Sequence, residues 1–158
     1  MPVESGTLCT FWLGRRCFGL DVVCVGEVVP VDGGVTRVPL ARPAVRGLMN
    51  LRGTPMPVVD LADVLGLGAA PGVERPPARA AIIIRDADLT AAALIDRIEA
   101  VVPAGRGAFT GRQGADEHPA VAGFLDTRAA GGRVITVLEH RVLLERLNAL
   151  RYLAATDD

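Results

Sequence analysis

Side chains able to do chemistry are few in this 158-residue chain, and they stand apart from one another. The single serine, Ser5, lies near the N-terminus with no histidine beside it, so an acyl-transfer triad lacks its nucleophile–base pair. Of the two histidines, His118 sits in a Gly-rich stretch and His140 opens the last periodic segment, neither in metal-ligand spacing to a cysteine or carboxylate. Asp116-Glu117-His118 is the one local titratable cluster, and a solvated loop accounts for it. Cys9, Cys17 and Cys24 all fall in the first 24 residues, an odd count at irregular spacing that makes a poor disulfide framework and suits a reducing compartment. At apolar strand positions they read as small core residues. Gly66-Leu67-Gly68 lacks the Lys-Ser/Thr of a phosphate loop.

One segment is left, Gly47-Leu48-Met49-Asn50-Leu51-Arg52-Gly53-Thr54-Pro55-Met56-Pro57-Val58-Val59-Asp60-Leu61. Gly53 supplies a turn that swings Arg52 outward between two apolar runs, Pro55 and Pro57 restrict the return strand, and Asp60 is placed to cap a helix. That pattern presents Arg52 on a rigid corner, the arrangement of a recognition group rather than of an acid, base or nucleophile.

The elements that hold this corner follow from periodicity and punctuation. Half of the residues are hydrophobic, enough at this length for a substantial core. Leu8–Leu13 and Cys17–Val29, joined at Gly14-Arg15-Arg16, predict a hairpin, with Gly26 and Glu27 marking a bulge or exposed bend in a β-branched run. Val35–Pro39 predicts a short strand, Pro43–Arg46 one helical turn, Gly47–Leu51 and Met56–Val59 strands, and Leu61–Leu67 a short helix. The Pro- and Gly-rich stretch 66–78 reads as a break between two halves. Beyond it, Arg79–Arg85 predicts a strand buried on both faces, with Leu89–Ile95 returning beside it and Ile98–Val102 following. Residues 104–119 read as a loop, Val121–Leu125 and Val134–Leu138 as a hairpin, and 140–155 as an amphipathic helix with Val142, Leu143, Leu147, Leu150 and Leu153 on its apolar face. Many short strands with one real helix describe a mainly β protein.

Composition narrows the function classes further. Formal net charge is −1 from 17 basic and 18 acidic residues, and every basic residue is arginine, so the basic excess of a nucleic-acid binder is missing. The absence of lysine beside abundant Ala, Arg, Gly and Val suits a high-GC bacterial coding bias. No apolar run reaches the ~18 residues of a membrane span, and the N-terminus has no basic signal region, which together predict a cytoplasmic protein without direct membrane insertion.

Gly47, Asn50-Leu51-Arg52-Gly53 and Pro57-Val58-Val59-Asp60-Leu61 closely resemble the hallmark run of the chemotaxis coupling proteins, the CheW-like family. Phe18-Gly19-Leu20-Asp21 leading to Gly26-Glu27-Val28, Val35-Thr36-Arg37-Val38-Pro39, Ile82-Ile83-Ile84 and Leu94-Ile95-Asp96 resemble the same family in order and spacing, from about Leu8 to Leu147. The resemblance implies one CheW-like domain over 1–158, built of two intertwined SH3-like five-stranded β-barrels with a break near 66–78. It implies a non-catalytic adaptor with no cofactor and no metal, recruited to membrane-associated receptor arrays. Its implied partners are the cytoplasmic tip of a chemoreceptor and the regulatory domain of a CheA-type histidine kinase.

Carried over by position, Arg52 and Glu27 are expected to pair across adjacent strands at the signalling surface, with Asn50 beside them and Val45, Leu48 and Met49 lining an apolar groove for a receptor helix, while Leu51 next to them reads as core. Two features depart from the family pattern. Ala62 stands where many members carry Arg, which predicts a lost partner contact, and Gly105, Gly107, Gly111 and Gly114 predict a mobile loop. A coupler engaging only one partner is therefore an alternative, as is, from another class, a small metal-dependent or acid/base enzyme using His118 and His140.

Overall fold

The computed structural model describes residues 3–31, 35–36, 45–67 and 80–155, and its architecture is mainly β, two sheets with one long helix. β1 (Thr7–Leu13) and β2 (Arg16–Asp21) pair antiparallel around a two-residue turn whose first residue, Gly14, has φ +61°, the glycine-first geometry of a type II′ hairpin. Val22–Cys24 is a 3-10 turn rather than strand, because the Asp21 carboxylate accepts the Val23 N–H and diverts the backbone from ladder pairing. Strand resumes as β3 (Val25–Pro30).

Between β3 and its antiparallel partner β7 (Ala80–Asp86) the register shifts between Val25 and Glu27, so Gly26 is the extra residue of a bulge at the predicted place. β4 (Val35–Thr36) is the described part of the predicted Val35–Pro39 strand, whose last three residues lie outside the described set. The predicted helical turn at Pro43–Arg46 is corrected: Val45 and Arg46 open β5 (Val45–Leu51), where pairing with β6 (Thr54–Asp60) overrides local preference, and Pro43 and Ala44 lie outside the described residues. Asp60 caps α1 (Leu61–Val64) as its spacing requires, accepting the N–H groups of Ala62 and Asp63. The helix stops short of Leu67, the chain turning at Gly66 with φ +73°.

β7 and β8 (Leu89–Ile95) form a hairpin, followed by β9 (Arg97–Pro103), β10 (Ala108–Gly111), β11 (Val121–Asp126), β12 (Val134–Leu138) and α2 (His140–Ala155). The loop expected over 104–119 is corrected in part: Ala108–Gly111 is strand β10, paired antiparallel with β11, whereas 112–119 holds no helix or strand. Of the glycines of 104–119 only Gly107 serves close packing, where a Cβ would run into the Asp126 carbonyl, whereas a Cβ at Gly105, Gly111 or Gly114 would meet nothing; on the facing strand, one at Gly123 would run into the Thr110 carbonyl.

The strands order as β10-β11-β12-β2-β1-β9 in the first sheet and β3-β7-β8-β6-β5-β4 in the second, each a five-stranded set extended at one end by a short strand, β10 or β4. Two pairs are parallel, β2 with β12 and β6 with β8. The Pro- and Gly-rich stretch 66–78 falls between β6 and β7, two strands of the same sheet; the chain changes sheets after β2 and again after β8.

Three apolar clusters explain the patterning. Val3, Leu8, Cys17, Leu125, Ile135 and Val137 pack inside the first sheet, and Met56, Val58, Ala81, Ile83, Ala92 and Leu94 inside the second. Between the sheets lies a shared core of Phe11, Phe18, Leu20, Leu61, Ile82, Ile84 and Ile95, closed by Leu143, Leu144 and Leu147 of α2. The Ala-Ala-Ile-Ile-Ile run of β7 is thus buried on both faces because alternate residues feed two cores. The side chains of Leu150 and Leu153 lie outside the described residues.

Candidate functional site

The β5–β6 hairpin closes at Leu51 opposite Thr54, leaving Arg52 and Gly53 as its two central residues. Both have positive φ, 51° and 84°, the combination a type I′ turn demands. Glycine takes this conformation without strain, but a residue with a Cβ gives up about 1–2 kcal/mol there. Asn or Gly would suit the position better on turn chemistry alone, so the arginine needs another reason to be present. Pro55 and Pro57 fit for a topological reason. β6 meets its second neighbour, β8, only from Val58 to Asp60, so both prolines lie on a one-sided stretch of strand where a missing N–H does no harm.

Arg52 is 77% exposed, and its Nη2 lies 2.9 Å from Oε2 of Glu27, itself only 20% exposed. Glu27 Oε1 is 3.9 Å from Arg85 Nη2, so the carboxylate stands between two guanidinium groups. The bulge makes room for this: a Cβ at Gly26 would stand 2.9 Å from Arg85 Nη1. The predicted pair therefore forms, but its strands are not adjacent in the ladder, and that expectation is corrected. β7 and β8 intervene between β3 and β6, and on a flat sheet three ladder spacings would hold them about 14 Å apart. Rolling of the second sheet around its internal cluster, to which Val29 of β3 and Leu51 of β5 both contribute, brings Glu27 to the β5–β6 turn.

The other predicted residues divide. Asn50 is exposed beside the turn, and Leu48 is 39% exposed on the outer face. Val45 packs on the shared core, whereas Met49 and Leu51 pack on the cluster inside the second sheet. A register shift between Val45 and Gly47 separates these environments. The strand thus does not lay Val45, Leu48 and Met49 along one groove, and Leu51 packs inward as expected; the concavity beside Arg52 is a shallow cleft of about 380 Å³ lined by Leu51, Thr54, Pro55, Met56, Pro57, Arg85 and Thr90. Ala62 is buried in the shared core, so its side chain offers no surface contact at that position.

Sequence reasoning missed two polar clusters. Arg46, the extra residue of the β5 bulge, places Nη2 3.0 Å from Asp60 Oδ2 and 2.8 Å from Asp63 Oδ2, tying the strand to the capped end of α1. Asp60 and Asp63 three apart on a capped helix were the available signal; the bulge that delivers Arg46 has none. Trp12 is half-buried and donates its indole N–H to Glu99 Oε2 at 2.7 Å.

The two histidines considered for catalysis stand in different surroundings. His118 Nδ1 accepts the Ala120 N–H at 3.1 Å, and burial, with Arg146 nearby, holds its pKa below the usual histidine range. His140 is buried, with Nε2 3.9 Å from Asp86 Oδ1. Burial pushes all three thiols up, Cys24 to about 12, which leaves them protonated and unreactive at neutral pH. Among the described residues no group of three His, Cys, Asp or Glu side chains could hold a metal ion.

A family model described as a CheW-like domain matches residues 7–148. A chemotaxis protein CheW from Thermotoga maritima is 31% identical over 93 residues, 59% of this chain and 58% of that protein. Another from Treponema pallidum is 38% identical over 58 residues, 37% of this chain and 34% of that protein. The matched segments thus span about three-fifths and one-third of these two relatives. The crystal structure of the scaffolding protein TtCheW from Thermoanaerobacter tengcongensis is similar in fold, with TM-score 0.68 at 26% identity, covering 84% of this chain and 88% of that one.

Proposed function

We propose, from the premise that this chain belongs to the CheW-like domain family, that it is a non-catalytic adaptor coupling the cytoplasmic tip of a chemoreceptor to the regulatory domain of a CheA-type histidine kinase. The observation that carries the reading is Arg52, held exposed in a left-handed conformation and clasped by Glu27. An adaptor of this kind transmits a signal through differential affinity for two states of its partners, and shaped surfaces suffice for that. The similar proteins, two chemotaxis proteins and a scaffolding protein, support the same class.

The reading takes residues 1–158 as one domain working in the cytoplasm and recruited to membrane-associated arrays through its partners. No helix among the described residues is long and apolar enough to cross a membrane.

Calorimetric titration against the receptor tip and the kinase regulatory domain, separately and then together, tests it. Binding to both, with a ternary complex, is expected. Binding to one alone replaces the proposal with a one-partner coupler, and binding to neither overturns it.

A further inference from the structure

A second surface lies on the other sheet. The β1–β2 turn, the start of β9 and the start of β12 meet at one end of the first sheet, since β12, β2, β1 and β9 are neighbours in that order. Four arginines gather there, Arg15, Arg16, Arg97 and Arg133, in a chain whose net charge is −1. Arg97 and Arg133 carry their guanidinium carbons 5.0 and 5.1 Å from the centre of the Trp12 ring, and Arg16 lies 5.1 Å from that of Phe18. Such stacking fixes long side chains that would otherwise wander.

The carboxylates at this end are already committed. Glu99 accepts the Trp12 indole N–H and Arg133 Nη1, each at 2.7 Å, with Arg97 Nη1 3.3 Å away, and these donors hold it below the usual carboxylate range. Asp96 Oδ2 accepts the Gly14 N–H at 2.6 Å. Among the described residues neither Arg15 nor Arg16 has an acidic partner; Arg16 Nη2 donates only to Thr136 Oγ1, at 3.3 Å. A cleft of about 310 Å³ opens between Trp12, Arg15, Arg16 and Arg133, bordered by Phe124 and Val134, with no acidic side chain in its lining.

We propose that this arginine-lined cleft of the first sheet binds an acidic peptide segment of a partner protein, its carboxylates taken by Arg15, Arg16 and Arg133. Planar guanidinium forks match carboxylates in pairs, and the apolar border suits a peptide's intervening side chains better than a free anion. A nucleic acid fits less well, because two guanidinium groups already lie over the only tryptophan, the ring on which a base would stack.

Trp12 is also a built-in reporter. Titration of the full chain with hexaglutamate should shift its emission saturably, while hexaserine leaves it unchanged. Arg133→Ala should weaken the binding about tenfold, as expected for loss of one charge-assisted contact. Because that change also frees Glu99, Arg15→Ala, at an exposed side chain, carries the test if the first variant misfolds, and should weaken binding severalfold. Arg112→Ala, an equal change of charge elsewhere, should leave it unaltered. The proposal is overturned by no saturable shift, by equal weakening in Arg112→Ala, or by inorganic phosphate or a single-stranded oligonucleotide binding as tightly as the peptide.

Discussion

Replacing Arg52 by Asn should separate folding from function. Asn enters the left-handed region far more readily than Arg, so the exchange recovers most of the roughly 1–2 kcal/mol lost at φ 51°. Against this stands the lost ion pair with Glu27, worth about 0.2–1 kcal/mol because the arginine is 77% exposed and screened by solvent. The balance runs from about zero to 1.8 kcal/mol in favour of the variant, a rise of about 0 to 7 °C in Tm for a chain of this size. Binding to the receptor tip or kinase domain should fall at least about tenfold, some 1.4 kcal/mol. Differential scanning calorimetry and isothermal titration on the same preparations give both numbers. A Tm drop of more than about 3 °C would make Arg52 a structural residue. Unaltered affinity with a raised Tm would mean that the backbone strain serves nothing.

Three further perturbations probe the fold. Ala87, the first residue of the β7–β8 turn, also has φ +51°, so Ala87→Gly should raise stability by about 0.5 kcal/mol, read from the urea midpoint, with partner binding unchanged. Gly123→Ala should cost about 2 kcal/mol or more and release β10 from β11, visible as lost amide protection at Thr110 and Arg112, because the new Cβ collides with the Thr110 carbonyl and stands 2.9 Å from the Gly111 Cα. His118 has a folded pKa below its unfolded value of about 6.5, so the unfolded chain binds the extra proton and stability must fall as pH drops below that value. His118→Asn, which keeps an acceptor for the Ala120 N–H, should flatten the stability profile below pH ~6.5, and an unchanged slope there would rule out His118 as its source.

What the sequence made legible was written locally. The Asp60 cap, the Gly26 bulge, the doubly buried run of β7 and the bounds of α2 each depend on residue types within a few positions. What stayed hidden depends on distant partners. Arg46 reads as helix until β6 pairs with it, β10 reads as loop until β11 does, and nothing near Glu27 announces that a rolled sheet will carry it to Arg52 across two intervening strands. The glycines of 104–119 are of two kinds that the sequence does not tell apart: Gly107 is packed against the Asp126 carbonyl, while Gly105, Gly111 and Gly114 have open space around them.

The threading of the two sheets also sets an order of assembly. The second sheet is drawn from one continuous stretch, β3 to β8, whereas the first joins the opening hairpin to strands that end at Leu138. Phe18 sits beside Thr136 in the parallel β2–β12 pair, so on the ribosome the first-made strands must wait for nearly the last. The middle of the chain can collapse while β1 and β2 still expose Phe11, Phe18 and Leu20. Such long-range closure makes for slow folding, and a nascent chain halted before β12 would carry an unpaired hairpin edge ready to aggregate.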